Sequence, residues 1–165
     1  LVEHLDFVFA VEDSTFAELL EARQLIEPGL AALAACRATP EDLSALAACM
    51  ERARDSVDDP PAFLAADVEL HQIITAAAHN QILARFMASL TRLGMASRGR
   101  TVEIPGVRRQ STEHHRAIVD ALVRRDPASA ADTMRVHLEY IHSSLTGNTE
   151  PITPGGQDAA NHDLG

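Results

Sequence analysis

Hydrophobic residues recur every three to four positions along most of this chain, which is the spacing of one buried face of an α-helix. The first such pattern begins near Asp13-Ser14-Thr15, where Thr15 and Glu18 have the spacing of a capping box, and it runs to about Ala35. Pro28 lies inside it and is expected to kink the helix, because proline lacks the backbone N–H that a helix interior needs. The apolar stripe of this helix consists of Phe16, Leu19, Leu20, Ile26, Leu30 and Leu33.

Three later helices begin with a polar residue followed by proline, at Thr39-Pro40, Asp59-Pro60 and Asp126-Pro127. A threonine or aspartate side chain caps the first helical turn, and proline is tolerated at the first helical position. These signals predict the starts of three helices. The residues at which they are expected to end or break are Asp55, His79-Asn80 and Gly147.

Two further helices are predicted from hydrophobic periodicity, over about residues 82–97 and 107–124. The segment at 101–106 contains a Pro-Gly pair and is the predicted connector between them. No run of alternating β-branched residues is long enough for a strand. The sequence therefore predicts an all-α fold.

The composition is that of one domain. The chain has 165 residues, of which 46% are hydrophobic, and this is enough to form a buried core. We expect the domain to span residues 1–147, with residues 1–11 compatible with a short amphipathic helix. The polar, aperiodic residues 148–165 are expected to form a disordered tail. No apolar run approaches the roughly 20 residues of a membrane span, so no membrane partner is expected.

The charge and the cysteines limit the partners and the compartment. The net charge is −10, and DNA affinity comes from cationic side chains, so this polypeptide is not expected to bind DNA by itself. Cys36 and Cys49 form no CxxC motif and are too few for a disulfide framework, which indicates a reducing cytoplasm. Both are interpreted as small core residues.

Polar side chains lie on the apolar stripes of three predicted helices, where hydrophobic residues are expected. Asp67 and His71 are four residues apart, so they project from the same helix face. His137 lies at the centre of the stripe of the last helix. His114 and His115 are adjacent on the helix before it, and the stripe centres nearer His115, although both positions are compatible with it.

An aspartate and three histidines from three helices form a set of O and N ligands suited to Zn, Ni, Mn or Fe. The alternatives are that each histidine is a hydrogen-bonded core residue and that Asp67 and His71 form an ion pair inside the bundle. We favour a metal because each of these residues would otherwise need its own buried partner. His79 adjoins the predicted break, so a role at the helix end is the simpler interpretation.

Arg23 is a charged residue on the apolar face of the first helix. Its guanidinium cannot lose its charge, so it needs an anion. Glu27, one turn later, could supply that anion internally. The functional interpretation is that Arg23 binds a carboxylate ligand that also touches the metal. Asn80 could add a hydrogen bond to such a ligand, or it could only cap a helix.

Several segments of the sequence, taken in order, are similar to a known domain. They are ELLEARQLIEPGLAALAA at 18–35, Asp67 and His71 followed by AAHN at 77–80, EHHRAIVDALVRRD at 113–126, and MRVHLE at 134–139. Their order and spacing resemble the FCD ligand-binding domain of the FadR-type branch of the GntR family of bacterial transcription regulators. The resemblance covers about residues 16–145.

This resemblance implies an antiparallel bundle of six to seven helices and, as in many members, a divalent metal held by one Asp and three His. The matching positions are Asp67, His71, His115 and His137, because His115 is the histidine before Arg-Ala-Ile. Zinc is the metal expected first, with nickel, manganese or iron as alternatives. The effector-binding arginine and asparagine of the family match Arg23 and Asn80. The family also carries an N-terminal winged helix-turn-helix domain, which we expect to lie outside this chain.

We therefore expect an effector-sensing domain of a GntR/FadR-type transcription regulator, and not an enzyme. It would bind a divalent metal and a small carboxylate effector, form a homodimer in the cytoplasm, and contact DNA only through the winged-helix domain. The main alternative is a metal-dependent hydrolase with its site in the helical bundle, for which Glu113 is the only nearby candidate general base. A metal-free interaction bundle is the third interpretation.

Overall fold

The computed structural model describes residues 13–147, without the side chains of residues 13–15. Within this range it contains seven α-helices and no β-strand, which confirms the predicted all-α class. The capping box predicted at Thr15, the helix predicted over 1–11 and the tail predicted over 148–165 fall outside what is described. The helices are α1 (Asp13–Arg37), α2 (Pro40–Asp55), α3 (Pro60–Ala77), α4 (Gln81–Leu93), α5 (Met95–Val102), α6 (Val107–Val123) and α7 (Pro127–Thr146).

Polar side chains begin the helices where the sequence predicts. The backbone N–H of Asp42 donates to Thr39 Oγ1 (3.2 Å), and the N–H of Thr39 donates to Asp42 Oδ2 (2.8 Å), which completes a capping box on α2. Asp59 and Asp126 cap α3 and α7 by accepting backbone N–H groups. The predicted break after α3 is confirmed, since His79 adopts a left-handed conformation with φ 47°.

The helix predicted over 82–97 is two helices in the structure. α4 ends at Leu93, and α5 begins at Met95 and continues to Val102, inside the predicted connector. Gly94 lies at the junction with φ −80° and ψ −2°, and glycine is a weak helix former. The inner face of α5 is mostly polar, so it offers no apolar stripe from which its path could be predicted. Its buried residues are Ser97, Arg98, Thr101 and Val102.

The long first and last helices pack side by side in opposite directions. Leu20, near the start of α1, belongs to one hydrophobic cluster with Ile141, near the end of α7. Near the other end of α1, the Ala35 carbonyl accepts a hydrogen bond from Arg125, just before α7 (3.5 Å). This pair therefore has the predicted antiparallel arrangement.

The main hydrophobic core lies among α1, α2, α3, α6 and α7. Cys49 lies in this core, but Cys36 is exposed on the last turn of α1, so the prediction that both are core residues was wrong for Cys36. Between residues 13 and 147, no helix combines the length and the apolar character needed to cross a membrane. The largest fully buried side chains of the core are Leu46, Leu70, Ile74, Ile118, Leu122, Met134 and Leu138.

Candidate metal and effector site

Four side chains that carry metal-binding atoms meet inside the bundle. α3 contributes Asp67 and His71, α6 contributes His115, and α7 contributes His137, and all four are buried. One donor atom of each residue lies within 4.8 Å of the donor atoms of the others. The structure therefore brings together the four residues that the sequence predicts as a metal site. That they hold an ion stays a prediction at this point.

The distances between the donor atoms fit a single ion. His115 Nε2 lies 3.3 Å from His137 Nε2 and 3.4 Å from Asp67 Oδ1. His71 Nε2 lies 3.9 Å from the same aspartate oxygen. Ligand atoms at about 2.0–2.2 Å from one ion are roughly 3–4 Å from each other, so the observed spacing is suitable. His71 Nε2 is also buried without a hydrogen-bond partner, which is costly unless something binds it.

The electrostatics of the site favour the protonation states that bind metals. Burial lowers the pKa of His115 to about 3, and burial also lowers the pKa of His137 well below its usual value. Both imidazoles are therefore neutral near pH 7, as metal ligands must be. Burial raises the pKa of Asp67, but the charge of Arg98 and the interactions with His71 and His115 together outweigh burial and lower it to about 2. This carboxylate is therefore ionised.

Glu27 is a second buried carboxylate, and it connects His71 to Arg23. Its Oε2 lies 2.6 Å from His71 Nδ1, and its Oε1 accepts a hydrogen bond from Arg23 Nε at 2.6 Å. Burial raises the pKa of Glu27, but the charge of Arg23 and the interactions with His71 lower it well below its usual value. The ionised carboxylate accepts the Nδ1–H of His71 and leaves the Nε2 lone pair available to a metal. Glu27 is therefore the internal partner of Arg23, which is one of the two alternatives that the sequence left open.

Arg98 on α5 is a member of the site that sequence reasoning missed. It is buried, and its Nη1 donates to Asp67 Oδ2 at 2.5 Å. Its Nη2 lies 3.9 Å from Glu27 Oε1. One signal in the sequence could have prompted a search for this residue. A buried, ionised Asp67 requires a cationic partner in addition to the histidines, and an arginine can supply it. Nothing in the periodicity of α5 indicates which of its arginines is that cation.

A small cavity adjoins the metal-binding side chains. Its volume is about 20 Å³, which is room for roughly one water molecule. Its walls include Arg23, Asp67, Arg98, Ser111 and His137. Arg23 Nη2 and Arg98 Nε are both buried and have no hydrogen-bond partner. Two residues that line the cavity therefore each carry an unsatisfied cationic N–H group, and such groups favour an anion.

Asn80 and His79 lie at the junction of α3 and α4. Asn80 Oδ1 accepts a hydrogen bond from the Leu83 backbone N–H (3.1 Å) and caps α4, which is the alternative that the sequence left open. Asn80 is not among the residues that line the cavity, and its contact with an effector stays a prediction. His79 is exposed and hydrogen-bonds Asp42 Oδ2 through Nε2 (2.9 Å), away from the four ligands.

His114 and Glu113 lie outside the donor cluster. His114 is half-buried and packs edge-on against Tyr140, with ring centroids 5.1 Å apart. The cluster contains its neighbour His115 instead, in agreement with the choice that the family resemblance favoured. Glu113 is exposed and pairs with Arg116, so the candidate general base of the hydrolase alternative is not among the buried groups.

The chelator-treated domain is expected to lose stability as the pH falls from about 6.5 towards 3. The folded pKa of His115 is about 3 against an ordinary value of 6.5, so the unfolded chain binds more protons throughout this window. The free energy of unfolding therefore rises with pH through this window by on the order of 1 kcal/mol per pH unit from this residue, and the contribution of His115 is fully present above the unfolded pKa. His137 acts in the same direction. Urea unfolding midpoints at several pH values measure the slope, which should flatten in His115→Leu. An unchanged slope would contradict the assignment.

Comparisons with known proteins agree with the resemblance seen in the sequence. The family model described as the FCD domain matches residues 18–140. A protein of Escherichia coli (strain K12) named for regulation of the L-lactate dehydrogenase operon is 33% identical over 149 residues, which cover 88% of this chain and 57% of that protein. The galactonate operon transcriptional repressor of the same strain is 30% identical over 115 residues, which cover 67% of this chain and 48% of the repressor.

A solved structure described as Streptococcus agalactiae GntR is also similar, with a TM-score of 0.70 and 25% sequence identity. The match covers 82% of this chain and 62% of that one. The family model and these relatives identify a domain that occurs in transcriptional regulators, as the sequence predicts. The chain belongs to the FCD domain family, and the proteins that it resembles are transcriptional regulators, including a GntR protein. It spans about half the length of the curated relatives that it matches.

Proposed function

We propose that this domain senses a small organic acid together with a divalent metal ion. Through that binding it would control a winged helix-turn-helix domain N-terminal to it. The relatives are named for operon regulation or repression, and their additional length has room for such a domain. The regulator would act in the cytoplasm as a homodimer. Acid binding would shift the relative placement of the two subunits, by as much as the acid prefers one placement over the other.

The observation that carries the proposal is the meeting of four buried metal-binding side chains with a cavity that has two guanidinium groups in its walls. A purely structural polar cluster would be expected to satisfy its own donors and acceptors. Here His71 Nε2, Arg23 Nη2 and Arg98 Nε are buried without partners. A cation can satisfy the first of these atoms, and an anion can satisfy the other two.

Each residue has a separate role in this proposal. Asp67, His71, His115 and His137 would hold the ion, which when bound supplies positive charge and coordination positions for carboxylate oxygens. Arg23 would bind the acid, while Glu27 orients both Arg23 and His71. The predicted contact of Asn80 with the acid would use its amide N–H groups, since its Oδ1 caps α4.

The donor set limits the choice of metal. Three imidazole nitrogens and one carboxylate oxygen are borderline ligands that suit zinc, and they also suit nickel, manganese and iron. Zinc is the metal that we propose first. Calcium and magnesium are disfavoured, because they prefer sets composed of oxygen atoms.

Metal analysis combined with a thermal-shift screen tests the proposal. We expect zinc at about a thousand times its dissociation constant to add about 4 kcal/mol of stability. For a domain of this size, that energy raises the melting temperature by on the order of 10 °C. Sugar acids, hydroxy acids and dicarboxylates would then be screened on zinc-loaded and chelator-treated protein. Active acids should raise the melting temperature of the zinc-loaded form only.

The opposite result is equally clear. A preparation that binds no metal and melts identically with and without chelator would favour the metal-free interaction bundle. A protein that binds zinc but whose melting temperature changes with none of the acids would contradict the proposal that it senses an acid, while the proposed metal site would stand.

A further inference from the structure

The buried charges of the site balance only as long as no metal is counted. The charged residues that are buried between residues 16 and 147 are Arg23, Arg98, Glu27 and Asp67, whose formal charges sum to zero. A divalent ion held by Asp67 and neutral imidazoles adds two positive charges to the same region. Burying uncompensated charge is costly, so the metal-loaded site requires two negative charges from a ligand.

Arg98 can stay paired with Asp67 when the ion is bound, because Asp67 uses its two oxygens for different partners. Asp67 Oδ2 accepts the hydrogen bond from Arg98 Nη1, whereas Asp67 Oδ1 lies 3.4 Å from His115 Nε2. Oδ1 can therefore serve a metal while Oδ2 stays bonded to Arg98. The guanidinium cannot deprotonate, so its positive charge persists.

Arg98 and Arg23 each retain one unused donor. Arg98 Nη1 is occupied by Asp67, but Arg98 Nε is buried and has no partner. Arg23 Nε is occupied by Glu27, but Arg23 Nη2 is buried and has no partner. The two side chains belong to different helices and line the same cavity. Two separate anionic groups of one ligand could therefore be bound.

We propose that Arg98 is a second effector-binding residue, and that Arg98 and Arg23 together select a dianionic acid over the corresponding monocarboxylate. This inference rests on the proposed function and specifies its effector class. The cavity, at about 20 Å³, must widen to admit such an acid. One carboxylate then binds Arg23 and the ion, and the second anionic group binds Arg98. A monocarboxylate compensates only one of the two charges that the metal adds, so it binds more weakly.

Matched pairs of acids test the selectivity. Lactate and malate share a 2-hydroxy acid end, and malate carries one additional carboxylate. Gluconate and glucarate have the same carbon chain, and glucarate has a second carboxylate in place of the terminal CH2OH. Calorimetric titration of the zinc-loaded 165-residue chain gives each affinity. We expect the dianion of a pair to bind at least about tenfold more tightly, which corresponds to one additional charge-assisted hydrogen bond.

Three variants assign this preference to Arg98. Arg98→Gln removes the charge but keeps an amide N–H for Asp67 Oδ2, so zinc content should be unchanged while dianion affinity falls about tenfold, to that of the monocarboxylate. Arg98→Lys keeps the charge and should keep a preference for the dianion. Arg100→Gln is the matched control, because Arg100 is an exposed residue of the same helix that packs over Phe16, outside the cavity. It should leave both affinities unchanged.

Each other outcome has a definite meaning. Equal affinity of the unaltered protein for both members of a pair would overturn the inference and leave the proposed function intact. Equal losses for mono- and dianion in Arg98→Gln would overturn it as well. Arg98→Gln could also bind zinc more weakly and yet, at saturating zinc, keep the preference for the dianion. That result would overturn the inference, because it would show that Arg98 only positions Asp67. If none of the four acids binds the zinc-loaded protein, the inference is wrong, whereas the proposed function is contradicted only if the whole screen of acids gives no response.

Discussion

Replacing His115 by alanine is expected to abolish zinc binding, whereas replacing its neighbour His114 should leave it nearly intact. His115 Nε2 lies between two other donors, at 3.3 Å from His137 Nε2 and 3.4 Å from Asp67 Oδ1. Mutating the hydrogen-bond partners of metal ligands already costs about 10–100-fold in affinity, so removing a ligand should cost more than about 100-fold.

His114→Ala is a matched control, because the two residues are adjacent, of one type and on one helix. His114 contacts the rings of Tyr140 and His137 and the side chain of Gln110, so its loss should cost on the order of 1 kcal/mol of packing. Because it packs beside His137 without being a ligand, only a small change in zinc affinity is expected. Competition with a chromophoric chelator gives the zinc affinity, and melting with and without zinc gives an independent reading. Circular dichroism of the metal-free variants checks that they are folded. If His114→Ala lost zinc and His115→Ala kept it, the ligand assignment on α6 would be reversed.

Replacing Arg23 by alanine is expected to weaken acid binding about 10–100-fold while leaving the zinc content intact. This magnitude is that of one lost hydrogen bond between charged groups. The side chain of Arg23 donates its hydrogen bond to Glu27, which is not one of the four metal ligands. Glu27 in turn keeps His71 as a partner in the variant, so the metal site retains its orientation.

The Arg23 experiment needs a variant that separates binding from folding. Arg23→Ala removes the nearer ion-pair partner of Glu27 and leaves Arg98, whose Nη2 lies 3.9 Å away. Breaking a buried pair costs about 3–5 kcal/mol. Arg23→Lys preserves the charge beside Glu27 but lacks the planar fork of the guanidinium, so acid binding should still weaken. Arg37→Ala is the control on the same helix, because Arg37 donates to the Ala78 carbonyl and does not line the cavity. Unchanged acid affinity in both Arg23 variants would show that Arg23 has only a structural role.

Local sequence signals predicted most of the helix boundaries correctly. Thr39, Asp59 and Asp126 each cap the helix that the following proline begins, because these bonds form within one turn of chain. Asp67, His71 and His137 were also visible in the sequence, since each is a polar residue placed on an apolar stripe, whereas the family resemblance was needed to choose His115 over His114. That oddity needs only the period of a helix to be noticed.

The remainder of the site depends on contacts between distant residues. Arg98 meets Asp67 across 31 residues, and Glu27 meets His71 across 44, and no local spacing specifies either pair. The sequence assigned Glu27 only to Arg23, one turn away, because that is the distance over which helical geometry can be used. α5 was hidden for a related reason, since Gly94 separates it from α4 and its inner face is polar.

Glu27 gives one oxygen to Arg23 and the other to His71, each at 2.6 Å. An acid that draws Arg23 towards itself would therefore pull on the same side chain that aims an imidazole at the ion. Thermodynamic reciprocity then requires that acid and metal alter each other's affinity by the same factor. If the acid prefers the metal-loaded site, as we propose, a shortage of the metal would weaken the response to the acid, and a regulator built this way would depend on both ligands.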